Sequence, residues 1–222
     1  MVRMIHTTNQ SLYDYWNRLR GTRLAPRRFE IEPVSIGDAL PDTFILERSP
    51  DGTFPFRLAG TRLCELFKRE FRGHDFLAAW TAADSATLRG NLNTIALQGG
   101  VIVLLVEAQT ASGKSIQLEI VVLPLIHSQV SADRFLGVVS PLDTPNWLGF
   151  DPLQAVYIVS HNMIWPDGHP RPFPSPTNEP DPDRQNPFLP RVRQSRIVRS
   201  QRRQFRVFDG GLSNNPTPPS KS

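Results

Sequence analysis

The 222 residues carry 25 Lys/Arg against 21 Asp/Glu, a formal net charge of +4, with 39% hydrophobic residues and one cysteine. That length suits one domain with an extension, and a lone Cys64 excludes an intrachain disulfide or a multi-cysteine metal site. No apolar run approaches the ~18 residues that read as a bilayer-spanning helix, and with no signal-like apolar stretch at the start a cytoplasmic protein is expected.

Residues 9–20, NQSLYDYWNRLR, place Leu12, Trp16 and Leu19 at i, i+4 and i+7, with Asn9 or Ser11 available as N-cap and Gly21 as the stop. This amphipathic helix also carries Tyr13 and Tyr15. With part of its aromatic surface exposed it becomes a candidate interaction helix (Leu12, Tyr13, Tyr15, Trp16, Leu19) across a homodimer; the alternative is docking on its own sheet. The prolines of 24–42 argue for a short helical turn at about 33–40 rather than a long element.

TFILERSPDGTFPFRLAG reads as a hairpin about the turn Ser49-Pro50-Asp51-Gly52. Thr61 is placed to cap a helix holding Leu63, Leu66 and Phe67, and a second short helix covers 75–80. Asp84 or Ser85 opens a longer helix with Leu88, Leu92 and Ile95 inward, ended by Gly99-Gly100. Three strands follow, VIVLLVEAQT, SIQLEIVVL and RFLGVVSPL, the first reading as buried on both faces. Glu107 and Glu119, on neighbouring strands, are expected to face solvent rather than to form an acid–base pair. Gly113-Lys114-Ser115 is a hairpin turn and not a P-loop, because position 108 is alanine where the first glycine is needed.

Twelve of the 21 prolines lie after Trp165, and residues 184–222 hold nine basic residues against one acidic, net +8, while 1–183 net −4. The expected division is a flexible 1–8, a domain over 9–150, a trailing segment 151–165, and a mostly disordered Pro- and Arg-rich tail over 166–222. Arg191, Arg193, Arg196, Arg199, Arg202, Arg203 and Arg206, interleaved with apolar residues, suit phosphate, so nucleic acid or anionic lipid is an alternative partner class; an acidic protein surface is another. The fold class is α+β, a five-stranded antiparallel sheet with helices gathered on one face.

The segments LYDYWNRLRG, APRRFEIEP, FRLAGTRLCELFKREFRGHDFLAAW, EIVVLPL and GVVSPLDTPNWLG resemble, in order and spacing, the short stand-alone PAS-domain proteins of alphaproteobacteria, over about residues 10–150. VFDGG at 207–211 resembles an ending seen in the same proteins. The resemblance implies a non-enzymatic sensory or regulatory domain acting through protein–protein contact, with a small pocket between sheet and helices. Its walls would be Phe44, Leu46, Phe56, Leu58, Leu63, Phe67, Phe76, Trp80, Leu92, Val103, Leu118, Ile120 and Val138, suited to a small apolar ligand.

No cofactor is expected. A flavin-binding relative would need an Asn-Cys-Arg-Phe-type sequence where this chain has Leu63-Cys64-Glu65-Leu66, and a haem-binding one a helical histidine, whereas His74 lies in a loop-like Gly-His-Asp setting. No histidine pair has ligand spacing, so no metal is expected, and no catalytic signature appears. A small enzyme using the pocket would need an acid–base pair converging there.

Overall fold

The computed structural model describes residues 4–128 and 131–173. The Arg-rich segment and the rest of the expected tail beyond residue 173 lie outside the described residues.

Helix α1 (Thr7–Arg20) opens the fold, and His6 rather than Asn9 or Ser11 caps it, its Nδ1 accepting from the Thr8 N–H at 3.2 Å. Helix α2 (Pro33–Ile36) and a 3-10 stretch (Gly37–Asp42) bring the chain to β1 (Thr43–Glu47). The expected hairpin forms: β1 pairs antiparallel with β2 (Phe56–Ala59), and Asp51 Oδ1 fixes the turn by accepting from both the N–H and the hydroxyl of Thr53. Gly52, at φ +80°, supplies the left-handed residue that the turn requires.

Helix α3 (Thr61–Phe67) is capped by Gly60, with Thr61 its first helical residue rather than its cap. A 3-10 turn (Phe76–Ala79) follows, its cap Asp75 also accepting from the Phe54 N–H at 2.8 Å. Helix α4 (Ala82–Gln98) starts earlier than expected because Thr81 accepts from the Asp84 N–H. Gly99 ends it in the left-handed region. Then come β3 (Val101–Thr110), β4 (Ser115–Leu125), β5 (Arg134–Pro141) and β6 (Leu153–Ile164).

The α+β class holds, but the sheet has six strands, not five, in the order β2-β1-β5-β4-β3-β6, with every neighbouring pair antiparallel. The expected trailing segment 151–165 is mostly β6, which pairs with β3 from Val101↔Ile164 to Thr110↔Leu153. Helices cover both faces, not one. On the front face α3, the Phe76–Ala79 turn and α4 pack Leu63, Phe76, Leu88, Leu92 and Ile95 against Phe44, Ile102, Leu104, Leu118 and Phe135. On the reverse face α1 packs Leu12, Tyr15 and Trp16 against Ile45, Val101, Val103, Val121, Leu123, Leu136 and Val138.

Candidate functional site

The front face does not close. Between α3, the Phe76–Ala79 turn and the sheet lies a cavity of about 360 Å³, open to solvent on one side. Its inner wall is Phe44 of β1, Phe56 of β2, Leu63 of α3, Phe71, Phe76, Leu118 and Ile120 of β4, Val139 of β5, and Leu153 and Val156 of β6. These are all buried, while Arg69, Ala78, Ala79 and Gln154 are exposed around the mouth. The wall is rigidly aromatic. Phe44 stacks on Phe76 at 5.8 Å between centroids and meets Phe56 edge-on at 5.6 Å; Phe56 touches Phe71, and Phe76 meets Trp80 edge-on at 5.6 Å. The Trp80 indole N–H is buried without a hydrogen-bond partner among the described residues.

Of the residues expected in the pocket, Phe44, Phe56, Leu63, Phe67, Phe76, Trp80, Leu118 and Ile120 line the cavity. The others do not. Leu58 points out of edge strand β2 and is 40% exposed, and Leu92 is buried higher up, where α4 meets the sheet. Leu46 likewise belongs to the front core without reaching the cavity. Val103 and Val138 lie on the reverse face under α1, because Ile102, Leu104 and Val106 take the front positions of β3 and Phe135 and Val139 those of β5. Leu153, Gln154 and Val156 were missed with the strand that carries them.

A PAS-domain family model matches residues 4–140, more than half of the chain. The chain belongs to the PAS-domain family. A sensory or regulatory role in signalling is the functional class which that membership carries. Among curated proteins none matches. Two solved structures are similar over part of the fold, each at 14% identity: a Rhodobacter sphaeroides LOV protein (TM-score 0.38, covering 47% of this chain and 60% of that one) and a point variant of RsLOV (TM-score 0.39, 49% and 64%). The chain thus spans less than two thirds of either.

Around this PAS core, α1 is not the exposed interaction helix that its aromatics suggested. Trp16 has no exposed surface and its Nε1 donates to the Pro124 carbonyl at 2.8 Å; Leu12 and Tyr15 are buried, and Tyr13 and Leu19 pack against the same cluster in part. Glu119 is likewise buried rather than solvent-facing. Its carboxylate accepts from the N–H groups of Ile5 and His6 and from Asn9 Nδ2, and Asn9 Oδ1 accepts from the Ser140 hydroxyl at 2.6 Å. The carboxylate is therefore a fixed anchor for the start of α1, as buried polar groups need partners. Glu107, two pairs further along the β3–β4 ladder, stays half-exposed on the same face.

Cys64 packs at the margin of the front core, and burial raises its thiol above the ordinary value, the setting of an unreactive thiol. His74 is exposed, and its carbonyl accepts the Phe56 N–H at the sheet edge.

Proposed function

We propose that this protein is a non-enzymatic PAS-type sensory or regulatory protein of the cytoplasm, in which a small molecule enters the front-face cavity and the sheet passes its presence on by protein–protein contact. The observation that carries this reading is the cavity itself: an aromatic hollow of about 360 Å³ walled by five of the six strands or their flanking helices, in a chain of the PAS family. Filling it would couple β1, β2, β4, β5 and β6, since each contributes a wall residue. Native mass spectrometry of protein purified from its own host tests this, with the denatured sample as reference. An added small-molecule mass that denaturation releases is the expected result, and a chain that never carries such a mass, even when offered small apolar compounds, refutes it.

A homodimer through β6 is the assembly that the strand's character favours. The opposite sheet edge, β2, is covered at its start by residues 73–76, whose backbone bonds with Phe54 and Phe56. No such cover meets β6 among the described residues, and its twelve residues, LQAVYIVSHNMI, hold no charge and no proline. Bare edges of that kind are normally guarded by lysine, proline or brevity. Antiparallel pairing of β6 with its own copy satisfies a two-fold axis and opposes no like charges. The alternative class, a nucleic-acid or membrane-surface adaptor driven by Arg191–Arg206, predicts salt-sensitive binding that vanishes on deleting 184–208.

A further inference from the structure

The cavity has a chemical polarity that its position in the fold does not require. Its ten inner residues are hydrocarbon and aromatic, with no carboxylate, amide or hydroxyl among them, and Trp80, which also lines the cavity, adds one neutral donor, a buried indole N–H without a partner among the described residues. The mouth differs. Arg69 stands at it with its guanidinium 5.7 Å from the centre of the Phe71 ring, which is itself part of the wall.

Among the described residues Arg69 has no ion-pair partner, whereas Arg20, Arg23, Arg57, Arg62, Arg134 and Arg171 each have one. Its sequence neighbour Glu70 does not neutralise it, turning its carboxylate instead to the Arg72 N–H at 3.0 Å. The backbone holds Arg69 in that place. Lys68 ends α3 at φ +47°, the one non-glycine residue with positive φ among those described, and the Arg69 N–H then closes onto the Cys64 carbonyl at 3.1 Å. A reversal normally left to glycine is here made by a lysine, and it delivers a cation to the rim.

We propose that the cavity takes an amphipathic monoanion, a medium-chain or arylalkyl carboxylate, with its apolar part between Phe44, Phe56, Leu118 and Ile120 and its carboxylate on the Arg69 guanidinium. Among the described residues Arg69 is the one charged side chain that lines the cavity, and it selects for a negative charge at the end of the ligand that lies at the mouth. A dianion or a zwitterion would carry a second charge inward, where no ionised side chain lines the wall and the Trp80 N–H is a neutral donor, and a cation would meet Arg69.

The inference rests on the cavity being a ligand site, so the test separates the two. Octanoate and octanol are titrated by calorimetry into the full-length protein and into Arg69→Gln, whose fold is checked by its melting temperature, the side chain being exposed. Octanoate is expected to bind the wild type about tenfold or more tightly than octanol, the scale of a charged hydrogen bond. That preference should shrink with salt and disappear in R69Q, with octanol binding unchanged. Equal affinities in the wild type, or a preference that survives R69Q, overturn the carboxylate proposal and leave the cavity reading standing. Binding of neither compound overturns both.

Discussion

Gly137 sets the depth of the cavity, because it lies opposite Phe44 in the β1–β5 register and lets that ring lie flat on the β5 backbone. A Cβ at this position would overlap three atoms of the ring, Cζ, Cε1 and Cε2. Phe44 is stacked on Phe76 and edge-on to Phe56, so the space left to it is the cavity. Gly137→Ala is therefore expected to cost about 1–3 kcal/mol, the usual price of overpacking, and to abolish octanol binding; urea denaturation and calorimetry read the two effects. A variant that keeps both stability and binding would mean that the ring relaxes away from the pocket. Glu119 is the second residue whose effect is distinctive. Truncation by Glu119→Ala strands the N–H groups of Ile5 and His6 and the Asn9 amide, a loss of about 2–3 kcal/mol in denaturation. Glu119→Gln keeps one acceptor and should fall between. Equal losses for both variants would show that charge, not acceptor count, holds the start of α1.

At the level of elements, α1 is held at its other end by an ion-pair clip. Buried Arg20 reaches Asp167, in the turn after β6, through two hydrogen bonds of 2.8 and 3.2 Å, and Arg171 adds two more, at 2.7 and 3.1 Å. The Arg20 and Arg171 hydrogen bonds hold the Asp167 carboxyl at about 2, against an ordinary value of 3.8. A carboxyl depressed in the folded state adds stability above its unfolded pKa and loses it as pH falls through the folded value. The clip's share, about 1 kcal/mol once solvent screening is allowed for, should be intact at pH 5 and fade between about pH 4 and 2. Asp133 also titrates low: burial works to raise it, but the Ser128 hydroxyl and the His127 and Ser128 N–H groups outweigh that. The informative quantity is thus the stability difference between wild type and Asp167→Asn, which should shrink on acidification; a difference constant with pH would rule out the clip. For β6, Val159→Lys puts like charges near the two-fold axis of the proposed pairing. Light scattering after size exclusion should then give a monomer with an unchanged melting temperature, whereas an unaltered mass refutes pairing through this edge. The strands of the PAS core were legible because the start of β4 alternates over residues 115–120 and the 49–52 turn has its own chemistry, but the rest of β4 and the start of β3 are buried on both faces. With no polar residue to mark a side, Val103 could not be assigned to the reverse face. β6 was illegible for a different reason: a bulge between Ser160 and Ile158 breaks its alternation, and its Ser, His and Asn read as loop. Arg69 gave no signal, since an exposed arginine gains meaning only from the left-handed Lys68 and the wall behind it.

For the molecule as a whole, the question is where the folding unit stops. The family match ends at residue 140 and the sequence reading at 150, yet the described structure continues its packing to the end of β6 and into the Asp167 turn. Removing 151–173 has three consequences. Leu153 and Val156 would leave the cavity wall, Arg20, 4% exposed and now unpaired, would lose its carboxylate, and β3, whose front residues Ile102, Leu104 and Val106 are fully buried, would become a bare apolar edge. Each is a named route to large destabilisation, through lost core area, an unpaired buried charge and an unprotected strand. A chain of residues 1–150 should therefore melt ~10 °C or more below a chain of residues 1–173, or aggregate outright, given the ~2–4 °C per kcal/mol expected at this size. Differential scanning calorimetry of the two chains settles the matter. Equal melting temperatures would mean that the five-strand PAS core is the complete unit and that β6 is an appended arm, which would also remove its residues from any role in sensing. A lowered melting temperature would make β6 an integral sixth strand, joining the cavity wall, the α1 clip and the proposed dimer edge in one element, so that a ligand pressing on Leu153 and Val156 acts directly on the strand that meets the partner.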